Sequence, residues 1–306
     1  MNSYYIGIDG GATSTVVCLG DSKENIVDTI KLTASNYHTV GIEKAKQVFK
    51  DALKTISDRH GVSLDSIKGI CFGGAGMDSE EGIKIITNVF RELGYKNELT
   101  VCNDGLIALI GANDGYRGGV LIGGTGSVAI GVGKDRKLHK VGGWGHILDD
   151  GGSGYAIGRD ALSSIMKSYD GRGEGTLLWE KAKQHFEIEK QEQITNFVYN
   201  PDTKKHDIAA VAPMVIDLYK KDEVATRIID KAISDLEILI ITLAKNIEKN
   251  SFSLGLYGSI IVKSDKLRER LIEKVHQTCP NIDIHLPYKE AYIGALYIAI
   301  GKVKID

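Results

Sequence analysis

Two stretches of this chain repeat one design. Ile6 to Thr15 reads I-G-I-D-G-G-A-T-S-T and Leu121 to Val128 reads L-I-G-G-T-G-S-V. Each is an apolar strand, a glycine pair, a hydroxyl-bearing residue and a second strand, which is a tight hairpin whose backbone can lie close to whatever it meets. The flanking order repeats as well. In the first half, Tyr4–Asp9, Thr15–Gly20 and Ile26–Leu32 read as strands, and Ile42, Ala45, Phe49, Ala52, Leu53 and Ile56 recur at helical spacing. A strand Ile67–Phe72, an amphipathic segment Ile83–Leu93, a strand Leu99–Cys102 and a helix from Gly105 complete a βββαβαβα unit.

The second half starts with Gly119–Gly123, Ser127–Val132 and Lys137–Val141 as strands, followed by one long helical stretch over Asp207–Asn250. A strand Leu254–Tyr257, a helix Ser264–Thr278, a strand Ile282–Leu286 and a helix Glu290–Val303 follow. The expectation is an α/β protein of two duplicated units. The first covers 1–114 and takes back the last helix, about 288–306, and the second covers 115–287.

Glycine numbers 36 of 306 residues against 4 prolines, well above the usual ~7%. Fifteen of these glycines fall between Gly115 and Gly158, where they punctuate strands rather than form a Ser/Gly linker. Thirty-eight basic against 40 acidic residues give a net charge of −2, too little positive field to hold a nucleic-acid backbone. At 42% hydrophobic and 25% charged, the composition is that of a globular protein. With no apolar run of membrane-spanning length and no leader pattern, the expected location is the cytoplasm. Cys18, Cys71, Cys102 and Cys279 show neither CxxC spacing nor a Cys/His cluster, so they read as reduced, core-type residues.

Hairpins of this kind serve two ends. Glycines let several N–H groups converge on an anion, and hydroxyls add donors, so two such loops could hold one polyphosphate; a plain β-turn is the alternative. The GxxxxGK[ST] and GxGxxG patterns are absent. Asp9, at a strand end before Gly10-Gly11, either reaches a Mg²⁺ ion through water or starts a turn. Asp104 follows T-V-C-N and opens a helix; it either caps that helix, a task Asn103 can also do, or accepts a proton from an attacking hydroxyl. Gly142–Ser153, G-G-W-G-H-I-L-D-D-G-G-S, sets Trp144 among glycines and acids. That suits a sugar, whose C–H face stacks on an indole, or else it is a core tryptophan in a turn. Asn36-Tyr37-His38 is a smaller polar and aromatic cluster. His139 and His146 lack metal-ligand spacing.

Taken together, D-G-G-A-T-S-T, I-G-G-T-G-S, G-G-W-G-H-I-L-D-D-G-G-S, L-Y-G-S-I and E-A-Y-I-G-A-L resemble the N-acetylglucosamine kinase branch of the BadF/BadG/BcrA/BcrD ATPases, within the actin/hexokinase-like superfamily. The resemblance runs from about Tyr4 to Ala299. It implies two ribonuclease-H-like domains with an inter-domain cleft, and an ATP- and Mg²⁺-dependent kinase for the 6-hydroxyl of N-acetylglucosamine or N-acetylmuramic acid. Residue by residue, it implies a first phosphate loop of Asp9 (the Mg²⁺ residue), Gly10, Gly11 and Thr13, and a second of Gly124, Thr125, Gly126 and Ser127. It further implies an adenosine loop at Gly258 and Ser259, Asp104 as catalytic base, and sugar contacts from Asn36, Asp104, Gly143, Trp144, Gly145 and Asp150. Gly294 and Ala295 match a helix packed closely between the domains.

One departure from the family pattern matters. Where relatives often carry Gly-Asp-Glu-Gly-Ser, this chain has Asp149-Asp150-Gly151-Gly152-Ser153, which implies a lost glutamate contact and a wider pocket. The expected partners are a small amino sugar and a second copy of the chain, with no nucleic acid and no membrane. Alternatives within reach of the same fold are a glucosamine or glucose kinase, an ATPase activator of a dehydratase, and a non-catalytic sugar sensor.

Overall fold

The computed structural model describes residues 3–11 and 13–305. The chain divides into two compact units, Met1–Val120 with Pro287–Asp306, and Leu121–Leu286.

Unit 1 is built from β1 (Tyr4–Gly10), β2 (Ser14–Asp21), β3 (Ile26–Thr33), α1 (Tyr37–Val40), α2 (Ile42–His60), β4 (Ile67–Gly74), α3 (Glu80–Glu92), β5 (Glu98–Asn103) and α4 (Asp104–Asn113). Its sheet order is β3-β2-β1-β4-β5. The first three strands form an antiparallel meander, while β4 and β5 run parallel to β1. This is the ribonuclease-H-like arrangement. In such a sheet the parallel strands deliver their carboxyl ends to one edge, where open α/β sheets gather their chemistry.

Unit 2 contains β6 (Gly119–Gly123), which starts at the division, then β7 (Ser127–Val132), β8 (Leu138–Gly142), α5 (Gly154–Tyr169), α6 (Leu178–Phe186), α7 (Glu192–Val198), α8 (Lys205–Ala209), α9 (Ala212–Asp217) and α10 (Glu223–Asn246). After these come β9 (Phe252–Tyr257), α11 (Ser259–Val262), α12 (Asp265–Thr278) and β10 (Ile282–His285). The sheet order, β10-β9-β6-β7-β8, repeats that of unit 1 with β6 in the place of β1.

The last helix, α13 (Ala291–Ala299), belongs to unit 1. Both α13 and α4 are apolar on every face and buried almost throughout, so neither could stand at a surface. Their close approach is made by glycine: a β-carbon on Gly294 would lie 2.0 Å from the Ile107 carbonyl oxygen of α4. Gly7 of β1 does the same for the other face, since a β-carbon there would be 2.4 Å from the Leu296 amide nitrogen. E-A-Y-I-G-A-L is therefore a packing motif of unit 1, with Gly294 set against α4.

The expected single helix over 207–250 is three helices. Pro213 starts α9 at its first turn, and Lys220, at φ +63°, turns the chain before α10. The carboxylate of Asp222 then accepts a hydrogen bond from the Ala225 amide (2.8 Å), a new N-cap in the middle of the stretch. The helices α5 to α7 were not read from the sequence. Cys18, Cys71 and Cys102 are buried thiols and Cys279 is half-buried.

Candidate active site

In unit 1 the first glycine hairpin closes through a hydrogen bond from the Gly11 amide to the Ser14 carbonyl (3.0 Å), with Gly10 paired to Thr15. Thr13 is exposed at its tip. Gly10 has no room for a side chain, because a β-carbon would fall 2.3 Å from the Phe72 ring and 3.0 Å from the Ser35 hydroxyl. The hydroxyl of Thr15 donates to that of Ser35 at 2.8 Å, and both side chains are fully buried. Ser35 is followed by Asn36, whose side-chain oxygen accepts from the His38 amide at 3.0 Å and starts α1. The hairpin and Asn36 are thus held together by a buried hydroxyl pair that the sequence reading missed.

Asp9 and Asp104 emerge from the same sheet edge. Asp9 pairs with Gly73 on β4, Gly73 pairs with Cys102 on β5, and Asp104 opens α4 just beyond β5. Asn103, not Asp104, is the N-cap: its oxygen accepts from the Gly105 amide at 2.7 Å. The Asp104 carboxylate also accepts from Gly105, at the longer distance of 3.0 Å. Burial pushes the Asp9 carboxyl up to about 6, and the negative charges of Asp104 and then Glu290 push in the same direction. Glu290, the N-cap residue of α13, is a third carboxylate of this neighbourhood.

In unit 2 the second hairpin is built without a carboxylate in the loop itself. The Gly124 amide donates to the Gly126 carbonyl (3.0 Å). The first turn of α5 is tied to the same loop, through the Gly154 amide to the Gly124 carbonyl (2.8 Å) and the Tyr155 amide to the Thr125 carbonyl (3.2 Å). Gly258 presses on it from β9: at φ +94°, a β-carbon there would lie 2.3 Å from the Gly123 carbonyl oxygen and 2.7 Å from the Gly124 nitrogen. Ser259 follows as the first residue of α11. Asp150, 4% exposed and at φ +64°, accepts from the Ser127 amide at 3.2 Å, and the Ser127 hydroxyl donates to the Gly151 carbonyl at 2.7 Å. Asp150 is therefore buried against the second glycine loop.

Residues 6–299, both hairpins included, match the BadF/BadG/BcrA/BcrD ATPase family. The protein belongs to this family. A curated N-acetylmuramic acid/N-acetylglucosamine kinase from Clostridium acetobutylicum is 30% identical over 299 residues, covering 97% of this chain and 98% of its own. An N-acetyl-D-glucosamine kinase from Dictyostelium discoideum is 29% identical, with 98% of each chain covered. A crystal structure of a candidate N-acetylglucosamine kinase from Chromobacterium violaceum superposes with a TM-score of 0.78 at 21% identity, over 97% of this chain and 98% of that one, so the fold is the same.

A glycine-rich loop follows β8. Trp144 is 73% exposed, which rules out the core-tryptophan alternative. It stands between Gly143 at φ +74° and Gly145 at φ +91°, a backbone that only glycines hold without strain. Its amide donates to the Asp149 carboxylate (3.3 Å), and the Asp149 amide donates back to the Gly145 carbonyl (2.8 Å), so Asp149 clasps the loop. The Lys140 ammonium lies 5.9 Å from the indole centroid. His146 packs edge-on against Tyr155 at 4.7 Å, and the half-buried His139 meets Asp135 at 3.2 Å.

Beside Gly151 stands α10: a β-carbon there would meet the Asp235 side chain at 3.0 Å. Burial raises the Asp235 carboxyl above the ordinary carboxylate range, with Asp160 and Asp149 adding repulsion and Lys231 and Arg159 opposing it. Asp235 and Ser35 are the residues that local sequence could not mark, because each reaches the site from a distant segment. Among the described residues no group of three His, Cys, Asp or Glu is placed to hold a metal ion. Asp9 offers carboxylate oxygens, hard donors of the kind that would suit Mg²⁺.

Proposed function

We propose that the protein is an ATP-dependent amino-sugar kinase, transferring the γ-phosphoryl group to the 6-hydroxyl of N-acetylglucosamine, N-acetylmuramic acid or both. The observation that carries this reading is the pair of carboxylates at one sheet edge. Asn103 caps α4 at 2.7 Å, so the start of the helix does not rest on Asp104 alone. The full-length likeness to two curated amino-sugar kinases supports the substrate class.

In this reading Gly10, Gly11 and Thr13 of unit 1, and Gly124, Thr125, Gly126 and Ser127 of unit 2, offer backbone amides and hydroxyls to phosphate oxygens. Gly258 and Ser259 take the adenosine end. ATP supplies the phosphoryl group, and Mg²⁺, reached by Asp9 through water, screens its charge. Asp104 orients the sugar hydroxyl and accepts its proton as the new O–P bond forms. Asn36, Gly143, Trp144 and Gly145 bind the sugar, with the exposed indole as its stacking surface. Asp150, already bonded to Ser127, joins the sugar loop to the second phosphate loop. We also infer a homodimer in the cytoplasm, with size-exclusion chromatography coupled to light scattering as the check on assembly. No helix among the described residues is long and apolar enough to cross a membrane.

The test is ADP release with N-acetylglucosamine, N-acetylmuramic acid, glucosamine and glucose, each with Mg²⁺ and with chelator. Turnover with one of the two N-acetylated sugars is the expected result. Sugar binding without ADP release from any of them would remove the kinase reading.

A further inference from the structure

The kinase reading leaves a cavity of about 480 Å³ in unit 2 without a task, a volume within the ~300–1,000 Å³ of small-molecule sites. It lies along one stripe of α5. Gly154, Gly158, Ala161 and Ile165 turn into the core, and the nucleotide-loop side of α5 is there too, where a β-carbon on Gly154 would meet Gly124, Ile260 and Ala209. The stripe Tyr155, Arg159, Leu162, Met166, at spacings of four, three and four, faces the cavity instead. Ile194 and Val198 of α7 form the opposite wall.

One contact places the start of this cavity at the end of the sugar loop, and a second ties it to the second glycine loop. The Tyr155 ring packs edge-on against His146 at 4.7 Å, and the Tyr155 amide holds the Thr125 carbonyl at 3.2 Å. A group entering past Tyr155 next meets Arg159, one helical turn on, with the apolar floor of Leu162 and Met166 beyond it.

The charges favour an anion. Two guanidiniums, Arg159 and Arg172, and one carboxylate, Asp170, line the cavity, while behind Arg159 the Asp160 carboxylate accepts from Arg159 at 2.9 and 2.7 Å and is shared with Lys231 at 2.9 Å. Both Arg159 bonds come from Nε and one terminal nitrogen, which leaves the donors of the other terminal nitrogen for a ligand. Asp170, also on the cavity wall, is matched by Arg172 through its Nε and a terminal nitrogen at 2.6 to 3.0 Å. An apolar floor with a guanidinium at the entrance selects a short carbon stem that carries a carboxylate.

We propose that this cavity receives the carboxylate-bearing O3 substituent of a muramic-type amino sugar, and that Arg159 is the residue that distinguishes N-acetylmuramic acid from N-acetylglucosamine. The assignment rests on the amino-sugar kinase reading and adds its specificity determinant.

The experiment measures kcat/KM for both sugars in the full-length wild type, in Arg159→Gln and in Ser163→Trp. Ser163 is an exposed residue of α5 on the cavity wall, so the indole blocks the space without burdening the core. Thermal melts confirm that both variants fold. The expected result is that each variant lowers kcat/KM for N-acetylmuramic acid relative to N-acetylglucosamine by about tenfold, the size of one lost charge-assisted bond. An unchanged ratio in both variants, or a wild type that turns over N-acetylglucosamine alone, overturns the cavity assignment and leaves the kinase reading standing. ADP release with neither sugar overturns the kinase reading. Calorimetry then decides the cavity alone: N-acetylmuramic acid binding that Arg159→Gln weakens upholds the assignment, and no binding, or equal binding to both proteins, overturns it.

Discussion

The two glycine hairpins have the same place in the same sheet topology, yet they are built in opposite ways. The first carries its charge within the turn sequence: Asp9 sits at the strand end with a carboxyl raised by burial and by two acidic neighbours, and Thr13 is exposed. The second has no acid in its turn. It is braced from outside by Asp150, by the first turn of α5 and by Gly258. One sheet order thus carries two differently built turns, with a buried charge beside the first in unit 1 and a braced backbone in the second in unit 2. Chemistry should therefore fail first when unit 1 is altered, and geometry when unit 2 is altered.

Asp104→Asn tests the first half of that statement and carries the largest expected effect. A general base contributes roughly 10²–10⁴ in rate, so turnover should fall by that order while sugar affinity and Tm stay near wild type, because Asn103 keeps the helix cap. Single-turnover kinetics beside sugar calorimetry separate the two quantities. Wild-type kcat in this variant would remove the base assignment.

Gly258→Ala should break unit 2 geometrically. The new β-carbon would fall on three backbone atoms between 2.3 and 2.7 Å away, at a φ of +94°, and none of the three can swing aside. A loss of about 2–4 kcal/mol is expected from overpacking and strain together. Gly124→Ala sharpens the contrast, since its β-carbon would meet only the Gly258 Cα at 3.8 Å. That protein should melt as wild type does, yet bind nucleotide more weakly if the loop amides approach phosphate. Equal Tm values for the two variants would mean that Gly258 does not brace the loop.

Asp150→Ala comes next. It leaves the Ser127 amide without its buried acceptor, a cost of about 1–3 kcal/mol, and nucleotide KM should rise along with sugar KM. A change in sugar KM alone would mean that Asp150 works only on the sugar. This residue also marks the limit of what a linear reading supplies. D-D-G-G looks like a solvated turn, and its burial is visible only once α10 is in place beneath it, with Leu236 2.5 Å from where a Gly152 β-carbon would be. The strands β1 to β3 and β6 to β8 were legible because alternation and glycine turns are local signals. A helix apolar on all faces needs a buried home, which α13 has in unit 1. Glu290 beside Asp9, Ser35 beneath Gly10 and Asp235 beside Gly151 were not legible, since each pairing joins segments far apart in the chain. The helices α6 to α9 were not legible because each is short, and their starts rest on distant contacts, such as the Asp222 carboxylate accepting from the Leu177 amide at 2.7 Å, rather than on a repeating pattern.

The smallest effect probes the charge of the first hairpin directly, as chain stability without nucleotide or metal. Asp9 has a folded-state pKa near 6 against 3.8 for the ordinary carboxyl. Below pH 4 both folded and unfolded chains are protonated here, and nothing is lost. From pH 4 to 6 the unfolded chain has released its proton while the folded one retains it, so stability falls as pH rises through that window. Above pH 6 both are ionised and the penalty stays constant, at about 1–3 kcal/mol for a shift of this size. Asp9→Asn removes the ionisation. It should melt higher than wild type at pH 7 and no higher at pH 4, while losing turnover with Mg²⁺. The gain in stability with the loss of activity is the signature of a carboxylate kept where its charge is unwelcome to the fold. A variant no more stable than wild type at pH 7 would show that Asp9 is relieved of its charge by some other group, and that the two hairpins are less unlike than their surroundings indicate.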